Sequence, residues 1–318
     1  MVVFSLALVI GLIILIWSAD RFVEGAVSTA LNLGMTPMMV GLTVVAFGTS
    51  APELIVSLMA ALQDSSNLAV GNAVGSNIAN IALVLGVTTL VSAIPIKLGI
   101  LKVELPILVL ATGCATLVIM DGVIEFDDGL ILVGILIVSL IALAKLSHSE
   151  EIPEEVSESD TLKPAKAYLY LFGSLLVLVL SSRMLVWGAS GIATELGVSD
   201  LVIGLTIVAI GTSLPELAAS IASALKGHHD LALGNIIGSN IFNLATVLPL
   251  PALIAPGLVD ANVISRDYPW VLGLTVALAI AIYLFKKTKN SSIPRWVGLP
   301  LIASYGIYLF VISANGAI

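Results

Sequence analysis

The chain is poor in the residues that build soluble folds and soft-metal centres. It has a single cysteine, Cys114, which excludes a disulfide framework and reads as a small packing residue in an apolar span. Its three histidines, His148, His228 and His229, fall in connecting segments, so no Cys/His metal cluster can form at membrane depth. Charged residues make up only 11% of the 318, against roughly 25% in a soluble domain. No basic residue precedes the first apolar run, and the first positive charge is Arg21. A secretion signal carries basic residues ahead of its apolar core, so this stretch reads as a retained span. The formal charge of −8 argues against nucleic acid as a partner.

What the chain has is apolar length. Hydrophobic residues are 58% of it, and its mean hydropathy is +1.12. A helical span needs about 20 apolar residues to cross a ~30 Å hydrocarbon core. In lipid every backbone group must be satisfied internally, which favours helices for such runs. Ten spans are expected, at about 2–19, 37–62, 68–92, 102–120, 127–146, 167–185, 200–226, 231–255, 269–285 and 295–314. The fold class is therefore an all-α membrane protein of ten transmembrane helices in two five-helix repeats, 1–146 and 167–318. Between them lies an acidic linker, 147–166, with Glu150, Glu151, Glu154, Glu155, Glu158 and Asp160. An odd number of spans per repeat inverts the second copy relative to the first. Eleven basic residues fall in connections on one side of the membrane and two, Arg183 and Arg266, on the other. The positive-inside rule then makes the richer side cytoplasmic, so that in a cell membrane both termini are expected outside and the linker in the cytoplasm.

The duplication is written in two motifs. Residues 41–54, GLTVVAFGTSAPEL, and 204–217, GLTIVAIGTSLPEL, match at eleven of fourteen positions with an offset of 163. Residues 68–80, LAVGNAVGSNIAN, and 231–243, LALGNIIGSNIFN, match at nine of thirteen with the same offset. Each copy puts one glutamate, Glu53 or Glu216, in mid-span. An ionisable group at that depth costs about 2.5–3.5 kcal/mol on insertion scales and marks a functional site by default.

The surrounding residues suggest hard-cation chemistry. Pro52 and Pro215 donate no amide, so the carbonyls of Gly48 and Gly211 lose their helical partners and the helices are expected to break. Freed carbonyls at membrane depth are tolerable where they line a polar cavity or meet a ligand. Thr49 and Glu53, like Thr212 and Glu216, are four apart and expected on one helix face. Ser76 and Asn80, and Ser239 and Asn243, repeat that spacing, while Asn77 and Asn240 project elsewhere. Gly71, Gly75, Gly234 and Gly238 are spaced for close helix approach. Every candidate donor is oxygen, which suits calcium, with its six to eight ligands at ~2.3–2.6 Å, and not zinc or copper. One divalent ion neutralises the two carboxylates, and its departure leaves two like charges buried together. Replacement ions must then enter before the protein can reorient, which points to exchange.

The paired G-T-S-x-P-E and G-N-x-x-G-S-N-x-x-N motifs resemble the two alpha repeats of the cation/calcium exchanger superfamily, most closely its prokaryotic sodium/calcium exchanger-type members. The resemblance implies a secondary antiporter exchanging calcium for sodium by alternating access at a midplane site. It implies that Glu53 and Glu216 bind calcium with help from Thr49 and Thr212. It implies sodium sites at Ser50, Ser213, Ser76 and Ser239 and at the carbonyls of Ala46 and Ala209, and spans one and six that slide across a fixed core. No cofactor is implied; calcium, sodium or protons, and the lipid bilayer, are the partners. Some relatives carry an aspartate where this chain has Asn80 and Asn243, and its loss leaves sodium and proton coupling both open. A channel would gather its symmetry around an axis perpendicular to the membrane, unlike this duplication. An intramembrane enzyme would need a nucleophile–base pair, and the motifs offer none.

Overall fold

The computed structural model describes residues 1–146, 161–197, 207, 209–288 and 290–314. The chain forms α1 (Val2–Asn32), α2 (Pro37–Thr49), α3 (Ala51–Leu62), α4 (Ser66–Val91), α5 (Gly99–Ile119) and α6 (Phe126–Leu146). It continues with α7 (Pro164–Glu195), a one-turn α8 (Ala209–Thr212), α9 (Leu214–Leu225), α10 (His229–Ile254), α11 (Val263–Lys286) and α12 (Arg295–Ile312). Eight of these helices are long and apolar enough to cross a membrane, and α2 with α3 makes one more span bent by 45°. The expected span at 200–226 lies partly outside the described residues, as do the acidic linker through residue 160 and His148.

Two spans are much longer than expected. The sequence places their ends at 19 and 185, near charges, but α1 runs 31 residues and α7 runs on to Glu195. A 31-residue helix is about 46 Å long, well beyond the hydrocarbon core. The charges do not stop α1 because neighbours satisfy them laterally. Asp20 pairs with Lys226 at 2.6 Å, Arg21 pairs with Glu24 at 2.9 Å, and the Arg21 guanidinium lies over the Tyr170 ring. Arg183 lies on the exposed surface of α7 rather than at its end. The stops come at Gly34 (φ +65°) and Gly197 (φ +82°), in left-handed conformation just past each helix. Glu104 is buried in the first turn of its helical segment.

Burial separates an inner pair of helices from an outer shell. The most apolar stretches of α4 and α10 are 72% and 83% buried, against 28% for α1 and α7 and 22% for α12. The exposed residues of α1 include Val2, Val3, Leu6, Val9, Ile10, Ile13, Ile16 and Trp17, a face suited to lipid and not to water. Helix α10 packs closely on α2 because Gly234 and Gly238 have no side chain. A Cβ at Gly238 would lie 2.6 Å from the Leu42 carbonyl oxygen and the Ala46 Cβ. For Gly71 and Gly75 nothing lies within 4 Å of such a Cβ among the described residues. The expected close approach is therefore seen in the second copy.

Two short antiparallel ribbons clasp the halves together. Ile94–Pro95 (β1) pairs with Ser292–Ile293 (β4), and Val123–Ile124 (β2) pairs with Gly257–Leu258 (β3). β1 and β3 stand at the same 163-residue offset as the motifs. Lys286 Nζ donates to the Ile96 carbonyl at 2.8 Å beside the first ribbon.

Candidate ion-binding site

Both expected breaks are present, and they bring the motifs of the two halves together. Between α2 and α3 the backbone departs from helix at Ser50, one residue before Ala51 and Pro52 restart it. Between α8 and α9 the same happens at Ser213, ahead of Leu214 and Pro215. Proline suits the first turn of the new helix because the amide it lacks would be unsatisfied there anyway. Glu53 and Glu216 therefore sit in the first turns of α3 and α9, where the helix dipole favours negative charge. They are 0% and 1% exposed.

The hydroxyl pairs serve the opposite repeat. Ser50 Oγ donates to Glu216 Oε1 at 3.0 Å, and Thr49 also lies close to Glu216. Thr212 and Ser213 lie beside Glu53 in the mirrored arrangement. The two carboxyl groups are near enough to interact electrostatically. The expected i,i+4 pair of Thr49 and Glu53 straddles a 45° bend at Ser50, and Thr49 Oγ1 donates to Asn235 Oδ1 of the other repeat at 3.1 Å.

Two asparagines that the sequence reading passed over brace this crossing. Asn235 Nδ2 donates to the Glu216 carbonyl at 3.3 Å and to Ser220 Oγ at 3.0 Å. Asn72 Nδ2 donates to the Glu53 carbonyl at 3.1 Å and to Ser57 Oγ at 2.9 Å. Each inner helix thus grips the backbone of the glutamate in its own half. Asn72 and Asn235 belong to the repeated motif, and Ser57 and Ser220 stand at the same offset, so the signal was available.

The rest of the second motif lies along the inner helices. Ser76 and Thr212 line one cavity of about 110 Å³ with Tyr305 and Tyr308 of α12. Asn77 and Asn240 turn away, each donating to the carbonyl four residues back at 2.8 Å. Asn80 and Asn243 are 1% and 0% exposed, and each opens a π-helical turn, Asn80–Leu85 and Asn243–Val247. Such turns recur at functional sites. Of the two expected carbonyl donors, Ala46 accepts from Ser50 N at 3.0 Å and from Thr49 Oγ1 at 3.4 Å. Ala209 opens α8, which packs on α4.

The donors fit a hard cation. Among the described residues, both oxygens of Glu53, Oε2 of Glu216, the hydroxyls of Ser213 and Ser239, and both amide atoms of Asn80 and Asn243 are buried without a hydrogen-bond partner. Each such group costs about 1–3 kcal/mol if nothing satisfies it. Seven of these nine atoms are oxygens, and two of the residues carry charge. An oxygen-ligated cation suits the seven oxygens and the two carboxylates, though not the amide Nδ2 donors of Asn80 and Asn243.

Comparison with known proteins agrees with this chemistry. A family model described as sodium/calcium exchanger protein matches residues 3–145 and 166–314. The chain is 43% identical over 321 residues to the putative antiporter CaxA of Alkalimonas amylolytica, covering 99% of this chain and 100% of that one. It is 30% identical over 352 residues to the sodium/calcium exchanger MaX1 of Methanosarcina acetivorans, covering 96% and 97%. Among solved structures, the sodium-calcium exchanger NCX_Mj soaked with sodium and strontium matches with a TM-score of 0.82 at 32% identity, over 99% of both chains. These relatives are transporters and not enzymes.

Proposed function

Because the chain belongs to the sodium/calcium exchanger family, we propose that it is a secondary antiporter exchanging calcium for sodium across the cell membrane. Calcium binds between Glu53 and Glu216, and the carbonyls and hydroxyls of the two breaks complete its shell. Thr49, Thr212, Ser50, Ser213, Ser76, Ser239, Asn80 and Asn243, with the Ala46 and Ala209 carbonyls, form the donor set from which calcium and sodium draw their ligands. One observation carries this reading: the crossed carboxylates come from the two copies of a duplicated motif. A pair of buried like charges is stable only in cationic company. The protein therefore changes access only when loaded, and transport is exchange.

In this reading the described helices belong to ten spans in two inverted repeats, 1–146 and 167–318, joined by a cytoplasmic linker at 147–166. The ribbons β1–β4 and β2–β3 support the inversion, because each joins one half to the other and β1 and β3 are equivalent at the repeat offset. The termini face outward. Helices α1 and α7 form the mobile layer and the remaining helices the scaffold.

Proton coupling is the competing reading, favoured by the amides at Asn80 and Asn243. With only two carboxylates at the centre, two protons could neutralise them as two sodium ions do. Vesicles loaded with labelled calcium separate the readings. An inward sodium gradient at uniform pH drives calcium efflux, and a pH gradient in sodium-free buffer does not. Efflux on the pH gradient alone would replace sodium with protons as the coupling ion.

A further inference from the structure

The break in the second repeat is held by a residue outside both motifs. Pro215 supplies no amide, so the Gly211 carbonyl has no partner along its own helix. Ser182, in the middle of α7, donates its hydroxyl to that carbonyl at 2.7 Å. Ser182 is 3% exposed. Helix α7 comes this close because Gly211 has no side chain; a Cβ would collide with Val186. The same helix crosses the first break, where a Cβ on Gly48 would lie 2.5 Å from Leu175. One helix therefore touches both breaks, and it makes a side-chain hydrogen bond to one of them.

The duplication shows that this bond is not shared. The neighbouring serines match across the repeats: Ser18 and Ser181 each donate to the carbonyl three residues back, at 3.0 and 2.9 Å. The next position does not match. At the 163-residue offset, Ser182 of α7 corresponds to Ala19 of α1, a buried residue with no donor. Inverting the molecule exchanges the roles of α1 and α7. In the inverted arrangement the Gly48 carbonyl then faces a methyl group where Gly211 now faces a hydroxyl. A shift of α7 by one helical turn, about 5.4 Å, would also break the 2.7 Å bond.

We propose that Ser182 is a positioning residue: its hydrogen bond to the Gly211 carbonyl selectively stabilises the access state seen here, and Ala19 leaves the opposite state without an equivalent. This rests on the alternating-access reading above. A bond of this kind changes an equilibrium between states by roughly 2- to 10-fold. Such a bias moves the apparent affinities at the two faces in opposite directions, because only the competent fraction binds at each face.

The test uses full-length protein reconstituted in vesicles, with the apparent calcium KM measured separately at each face. Ser182→Ala changes the ratio of the two KM values about 2- to 10-fold, and Ser182→Thr, which keeps the hydroxyl, restores the wild-type ratio. Ala19→Ser gives the opposite state its missing donor and moves the ratio the other way. Hydrogen–deuterium exchange in detergent reads the bond without transport. Ser182→Ala speeds exchange of the amides at 211–217 and leaves those at 48–54 unchanged. An unchanged ratio in Ser182→Ala, a Ser182→Thr variant that behaves like it, or Ala19→Ser moving the ratio in the same direction would overturn the proposal. If Ser182→Ala fails to fold, Ala19→Ser and Ser182→Thr still decide it. A wild-type protein without any exchange removes the antiport reading, while hydrogen exchange still judges the bond.

Discussion

Glu216→Gln abolishes calcium exchange, lowering initial rates in reconstituted vesicles at least about 100-fold while the protein stays folded. Glutamine preserves the shape of the side chain, and its Oε1 still accepts from Ser50 Oγ, so the crossing between repeats survives. What it loses is one of the two buried charges. With one carboxylate left, a divalent ion brings an uncompensated positive charge into a site that is 0–1% exposed at both glutamates. Uncompensated buried charge costs about 3–5 kcal/mol, and each 1.4 kcal/mol is about tenfold in binding. Glu53→Gln has the same effect for the same reason. Thermal unfolding of the purified variants keeps this apart from misfolding: the midpoint stays at or above that of the wild type, because a like-charge repulsion has been removed. Wild-type exchange in either variant would remove that residue from the site.

The second large effect lies one layer out. Asn235→Leu destabilises the protein by about 3 kcal/mol or more and slows exchange at least about tenfold. The amide of Asn235 holds three groups from two repeats: Thr49 Oγ1, the Glu216 carbonyl and Ser220 Oγ. Leucine fills similar space but takes the amide donor from the Glu216 carbonyl and Ser220 Oγ, at about 1–3 kcal/mol each, and leaves Thr49 Oγ1 only its longer 3.4 Å bond to the Ala46 carbonyl. Asn72→Leu is the internal control. Asn72 is only partly buried and, among the described residues, donates to the Glu53 carbonyl and Ser57 Oγ. Its variant loses less stability, and the order of the two unfolding midpoints checks the claim. A larger loss at Asn72 would mean that the brace across the repeats is not centred on Asn235.

The sequence made the site more legible than its geometry. Two glutamates at a constant offset, each beside a proline, located the helix breaks, and Pro52 and Pro215 do open the new helices. Hydropathy likewise located the bent span and the long helices, while the separation of inner helices from an outer shell comes from burial. The pairing across the breaks was not legible. An i,i+4 argument assumes an unbroken helix, and the break at Ser50 is what releases Thr49 to Asn235 and Ser50 to Glu216. The lengths of α1 and α7 were missed because a charge in a hydrophobic run looks like an end. Asp20 and Arg21 instead find partners on Lys226, Glu24 and Tyr170. Ser182 carried no signal at all, because its role depends on which helix crosses Gly211, a fact of packing and not of spacing.

Equilibrium binding of radioactive calcium to purified protein bears most directly on the two carboxylates acting as one site. Wild-type protein binds one calcium per chain at saturation in sodium-free buffer, and sodium displaces it. Glu53→Gln and Glu216→Gln each lose that binding, and the double variant is no worse than either. Two independent calcium sites per chain, or a single variant that keeps wild-type affinity, would contradict a shared centre built from both repeats.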